Sequence, residues 1–183
     1  MDKTELTHLI AAASRKDEAA FRQLVEHYQS SVYALSFRLL CDEDDAKDAT
    51  QETFIRLWLN LEKYDVDYSF LTWLYTIATR LCLDKIRSEK RFRKESADDT
   101  LLTHFVSSEN ADQEVTNAEL AAIISTFTAE LTPKQRVVFT LRCLEELELD
   151  EVARISGQTL AQIKSNLFLA RKTIREKLKK YLK

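Results

Sequence analysis

From Thr4 to about Lys94 apolar residues return every three or four positions, the period of helices that bury one side. The pattern predicts an opening helix over Glu5 to Ser14 and a second over Glu18 to Leu40, with Phe21, Leu24, Val25, Tyr28 and Val32 on its stripe. A third helix is expected to start near Glu43 to Asp45, where acids in the first turn complement the positive end of the helix dipole. Its stripe is Thr50, Phe54, Leu57, Trp58 and Leu61. After a turn around Tyr64 to Tyr68, a fourth helix over Ser69 to about Arg91 offers Phe70, Trp73, Leu74, Ile77, Leu81 and Ile86 to a core.

From Ser96 to Val115 the period fades and Ser, Thr, Asp, Glu and Asn dominate, as in a flexible acidic linker. Leu101, Leu102, Phe105 and Val106 are apolar enough to dock transiently. Helices are expected to resume near Asn117, with Leu120, Ile123, Ile124 and Phe127. Thr132-Pro133-Lys134-Gln135 is a sharp start signal: Thr132 caps, Pro133 suits the first helical position and Gln135 closes a capping box. Val137, Val138, Leu141 and Leu144 then face inward.

A short helix (roughly Glu148 to Ser156) and the connection Gly157-Gln158-Thr159 precede a last helix. Its stripe is Leu160, Ile163, Leu167, Ala170, Ile174, Leu178 and Tyr181, and Lys164, Arg171, Lys172, Arg175, Lys177, Lys179, Lys180 and Lys183 surround it. That is the layout of a helix-turn-helix whose second helix enters a DNA major groove. The plain alternative is a solvated Lys-rich helix. The expected fold is all-α: two small helical domains, residues 1–94 and 117–183, joined by a flexible acidic linker over 95–116, the second domain being the helix-turn-helix.

One Gly and one Pro in 183 residues agree with an all-helical chain, because hairpin turns need both. No apolar run approaches the roughly 18–20 residues of a membrane span, and MDKTELTHLI does not read as a secretory signal. A cytoplasmic protein is expected. Cys41, Cys82 and Cys143 are far apart, which suits buried free thiols, and His8, His27 and His104 supply no zinc spacing. Without a phosphate loop or nucleophile motif, neither an enzyme nor a cofactor is expected.

The formal charge of −3 conceals segregation. Arg80 to Lys94 holds seven bases against Asp84 and Glu89, Asp42 to Glu52 six acids against Lys47, and Glu95 to Glu130 eight acids with no Lys or Arg. Two basic elements separated by an acidic connector suit two contacts with a polyanion.

Three segments resemble the bacterial RNA polymerase sigma factors, of the small extracytoplasmic-function group. Asp45-Ala46-Lys47-Asp48-Ala49-Thr50-Gln51-Glu52-Thr53-Phe54 is similar to the family's acidic helix. The resemblance implies that Asp45, Asp48, Gln51 and Glu52 meet the core polymerase. Ser69-Phe70-Leu71-Thr72-Trp73-Leu74-Tyr75-Thr76-Ile77-Ala78, with Asp84 and Arg87, looks like the −10-reading and melting helix. Leu131 to Arg136, Lys164-Ser165 and Ala170-Arg171 resemble the −35-reading domain in order and spacing.

Physical chemistry points the same way. Asp45, Asp48, Glu52 and Arg56 share a helix face opposite Phe54, Leu57, Trp58 and Leu61, open to a basic partner or simply to water. Tyr64 and Tyr68 sit in a turn ahead of the basic segment, where a flipped −10 base can stack, while Phe70 and Trp73 fit the core stripe. Lys63, Arg80, Lys85 and Arg87 are the accompanying −10 contacts expected from the resemblance, with Asp84 sharing the face of Arg80 and Arg87. The family's usual Gly near Tyr68 is missing, which alters this loop. The −35 contacts that the resemblance implies are Gln162, Lys164, Ser165, Asn166, Phe168, Arg171 and Lys172. Where the family often has Arg-Leu-His-Arg, this chain has Asn166-Leu167-Phe168-Leu169. Phe168 and Leu169 point off the core stripe and suit thymine methyls, a partner protein or the neighbouring domain.

The expected function is promoter recognition with core polymerase as partner, −35 duplex and −10 single strand as ligands, help in −10 melting, and an anti-sigma factor as a further possible partner. A stand-alone helix-turn-helix regulator or a protein-binding helical module are the rivals. The acidic face has no natural task in the first rival, and DNA binding none in the second.

Overall fold

The structure, a computed structural model, describes residues 2–66, 68–95 and 126–181; the acidic linker and the helix expected from Asn117 lie almost wholly outside them. Asp2, Asp17 and Asp42 each accept a backbone N–H three residues on, from Glu5, Ala20 and Asp45, and so start three helices. These are α1 (Lys3–Ser14), α2 (Glu18–Leu40) and α3 (Glu43–Asn60). A 3-10 turn, Leu61–Lys63, leads to α4 (Phe70–Glu95).

After a helical turn at 126–129 come α5 (Pro133–Phe139), a π turn (Thr140–Leu144), α6 (Leu149–Ser156) and α7 (Leu160–Tyr181). The expected capping box forms: Gln135 N–H donates to Thr132 Oγ1, and Thr132 N–H donates to Gln135 Oε1 at 3.2 Å. Thr159 and Gln162 repeat this exchange at the head of α7. The helix expected to run on through Leu144 instead opens into the π turn, and Glu146 then adopts a left-handed φ of 56°.

Leu24, Val32, Leu35 and Leu39 of α2 meet Leu57 of α3 and Leu74, Ala78 and Cys82 of α4, all nearly sealed from solvent. Val137, Val138, Leu141, Val152, Ile155 and Ile163 bury the inner sides of α5, the π turn, α6 and α7. The two groups join into one continuous core, because α6 lies along α4. Hence α4 buries two sides. Phe70 and Leu74 are in the core as expected, but Trp73, Ile77, Leu81 and Ile86 are only half-buried, and Thr72, Tyr75, Thr79 and Cys82 are buried instead.

Gly157, the only glycine of the chain, turns left-handed (φ 66°) at the end of α6 and makes the break of the helix-turn-helix. A Cβ there would meet nothing within 4 Å. Gly157→Ala is therefore expected to cost about 1 kcal/mol of backbone strain and nothing in packing. Thermal unfolding of the variant measures it.

Candidate nucleic-acid interface

On α3 the acidic residues divide. Asp45 faces inward to α4 and takes the ammonium of Lys85 at 2.6 Å, both groups about one-third exposed. Desolvation opposes the charge on Lys85, but Asp45, Asp48 and Glu89 hold its pKa above the ordinary lysine value. Asp45 and Lys85 thus tie two helices together. Asp48 (side chain 77% exposed) and Gln51 stay open, and Glu52 is half-exposed with a local ion pair to Arg56 at 2.7 Å.

Further along the same side Ile55 and Leu59 are 46% and 60% exposed. They border an open apolar groove of about 930 Å³ between α2 and α3, floored by Phe21, Val25, Tyr33, Phe54 and Trp58. Sequence reading missed this pair. Its signal was available, since two large aliphatics off the core stripe follow Gln51 at four and eight residues.

In the turn before α4 the two tyrosines differ. Tyr64 packs on Phe70 and Trp73, with ring centres 5.4 and 5.3 Å away, and its hydroxyl donates to the Tyr68 carbonyl at 2.6 Å. It builds the loop rather than standing out from it. Tyr68 is 44% exposed, and one face of its ring is covered by the Arg154 guanidinium of α6 at 4.6 Å. Lys63 is exposed and donates to the Asn60 side chain. Arg80 and Arg87 are exposed on one face of α4, Arg87 donating to Asp84 at 2.9 Å, and they border a small polar recess closed by Ser156 and Gly157.

Polar ties also link α2 and α4 to the later helices. Glu145 accepts from both the Arg38 guanidinium and the Tyr75 hydroxyl, and Thr72 donates to Glu151 at 2.8 Å. Arg136 reaches from α5 to the Leu39 carbonyl at the end of α2 (2.7 Å) while also donating to the Thr128 and Ala129 carbonyls. Burial, and then the charge of Glu145, push the Tyr75 phenol well above its ordinary pKa. The pairs Arg38–Glu145, Tyr75–Glu145, Thr72–Glu151 and Arg136–Leu39 join residues far apart in the sequence, so no local pattern pointed to them.

The outer side of α7 carries Gln162, Lys164, Ser165, Phe168, Arg171 and Lys172, all exposed. Asn166, half-buried, donates to Gln158 Oε1 at 2.6 Å and so braces the turn. Phe168 is 70% and Leu169 42% exposed, so both leave apolar surface open to a partner. This side can meet a polyanion along its length.

The geometry agrees with what the chain is similar to. Residues 24–92 match the family model for Sigma-70 region 2, and residues 121–174 that for Sigma-70, region 4. The ECF RNA polymerase sigma factor SigW of Bacillus subtilis (strain 168) is 32% identical over 180 residues, spanning 93% of this chain and 95% of the relative. The chain belongs to the ECF RNA polymerase sigma factors. It directs RNA polymerase to promoters.

The ECF RNA polymerase sigma-E factor of Escherichia coli (strain K12) is 29% identical over 177 residues, covering 93% of this chain and 92% of that one. Two solved structures share the fold of this sigma factor. Sigma factor RpoE from Bartonella quintana, in complex with the anti-sigma factor NepR, has a TM-score of 0.70 at 23% identity, over 87% of this chain and 96% of that one. CnrH, in complex with the cytosolic domain of CnrY, has a TM-score of 0.67 at 23% identity, over 93% and 95%. Region 2 thus comprises most of α2, α3 and most of α4, and the helix-turn-helix belongs to region 4.

Proposed function

We propose that region 2 and region 4 divide promoter recognition between them, as domains 1–94 and 117–183 joined by the stretch between. On this reading Asp48, Gln51 and Glu52, continued by Ile55 and Leu59, dock on core polymerase, with Asp45 setting the angle of α3 through Lys85. Tyr68 stacks a −10 base, and Lys63, Arg80 and Arg87 hold the phosphates around it. The outward face of α7, from Gln162 to Lys172, enters the −35 major groove. Melting then draws on binding energy, with no covalent chemistry by this chain.

The observation that carries this reading is the placement of open faces. The acidic side of α3 and the basic side of α7 both point away from the shared core, on the two elements that match the family in order. The setting is the cytoplasm, where the polymerase works; among the described residues no helix is long and apolar enough to cross a membrane. An anti-sigma protein is a further expected partner, since the RpoE and CnrH structures are complexes with NepR and CnrY.

Core polymerase with the purified chain, transcribing fragmented genomic DNA, is expected to start at a small set of sites sharing −35 and −10 elements. Start-site mapping reads this directly. Specific duplex binding without polymerase, and no specific starts with it, would instead favour a stand-alone helix-turn-helix regulator.

A further inference from the structure

The face that α7 offers to DNA is apolar at its centre. Ile163 and Ala170 are sealed in the core, and the opposite stripe runs Ala161, Ser165, Phe168 and Lys172, at steps of four, three and four residues. Leu169 lies beside Phe168 on the same side. The amide side chains nearest the turn are engaged elsewhere. Gln162 closes the cap on Thr159 N–H at 2.9 Å, and Asn166 donates to Gln158. Asn and Gln are the residues whose amides pair with adenine in the major groove, so that mode of reading is hindered here.

What remains is a large ring and an aliphatic side chain among small residues, flanked by exposed Lys164, Arg171 and Lys172. A cationic rim around an apolar centre matches a duplex groove, with phosphates at the margins and base edges between them. Of the features base pairs display in the major groove, only the thymine 5-methyl group is apolar. A protein partner fits less well. Two side chains are a small part of the roughly 800 Å² that each side of a stable protein interface buries, and the surrounding positions are cationic.

We propose that Phe168 and Leu169 read the −35 element through thymine methyl groups, so that its preferred sequence carries thymine at the step beneath Phe168. The proposal rests on the promoter-binding reading above and names what that site selects. Each methyl buried against Phe168 contributes about fourfold in affinity.

The test uses the full chain bound to core polymerase and a promoter found by start-site mapping. Each thymine of the −35 element, on either strand, is replaced in turn by deoxyuridine, which removes the methyl and leaves the pairing intact. At one position the replacement is expected to lower promoter binding roughly three- to fivefold. Phe168→Ala is expected to show the same loss on the unmodified promoter and no further response to deoxyuridine there, with core binding unchanged. The ring is exposed, so its removal leaves the fold intact. Specific initiation with no methyl-sensitive position, or a Phe168→Ala variant that keeps full sensitivity, overturns the proposal alone. Absence of any specific initiation overturns both it and the function it rests on.

Discussion

Changing Asp48 and Glu52 together to lysine is expected to weaken binding to core polymerase about a hundredfold, the scale set by losing and reversing two charged contacts across an interface. The fold is expected to survive the change. Asp48 lies 3.8 Å from Lys85 and is mostly in water, and among the described residues Glu52 pairs with its helical neighbour Arg56. Exposed pairs of this kind are worth about 0–1 kcal/mol. Asp45 is left alone, because its carboxylate anchors Lys85 and its loss would move the helix as well as the charge. A control with the same change in net charge, at exposed Glu5 and Glu26, separates local contact from long-range attraction. Titration of labelled core measures both variants. Equal affinity of the Asp48/Glu52 variant and the control would remove α3 from the docking site.

The second large effect is expected at Glu145. Its carboxylate is 13% exposed and receives the Arg38 guanidinium and the Tyr75 hydroxyl, the latter at 2.8 Å. Glu145→Ala leaves a buried phenol and a partly buried cation without that acceptor. For Tyr75 alone the penalty is about 1–3 kcal/mol. Arg38 adds little, because its side chain is 32% exposed and water can take over. These groups lie between region 2 and region 4, so the loss is expected to favour separation of the two units over unfolding of either. Adding Arg154→Ala uncovers Tyr68 as well.

The double variant is expected to have a larger radius of gyration in solution scattering and to bind a −10 single strand more tightly than wild type. An unchanged radius would show that apolar packing of α4 on α6 holds the units together unaided. The contact also has a pH signature. The Tyr75 pKa is raised in the closed form, so its contribution is fully present below the ordinary tyrosine value, near 10. It is lost as pH rises beyond that value, because the open form then ionises first.

The helix starts were legible because each is local. Thr132 is expected to cap within three residues and its bonds form, while Asp17 and Asp42 cap starts that the apolar period and the first-turn acids predict. The core of region 2 was legible in part. Leu24, Val32, Phe54 and Leu74 follow a helical period, whereas Ala46, Ala49 and Thr53, all buried, are too small or polar to weigh in an apolar count. On α4 the expected stripe was drawn for one buried side. The second side, Thr72, Tyr75, Thr79 and Cys82, repeats at three, four and three residues and reads as polar until its cover is known.

The site residues divide by the same rule. The open faces of α3 and α7 follow from position on a helix. That Lys85 is held by Asp45, that Tyr64 is built into its loop and that Tyr68 lies under Arg154 depend on pairs 4 to 86 residues apart. No periodicity reports such pairs. Asn166 bracing Gln158 belongs with them, since its amide was as well placed to face outward.

The guanidinium resting on Tyr68 bears on the base stacking proposed for that ring. Every base offers a flat face, so a bare ring would cling to frayed or newly unwound strands anywhere along a chromosome. On the proposed reading of Tyr68, the ring face under that guanidinium opens to a base only once region 2 and region 4 part, while its other face stays available.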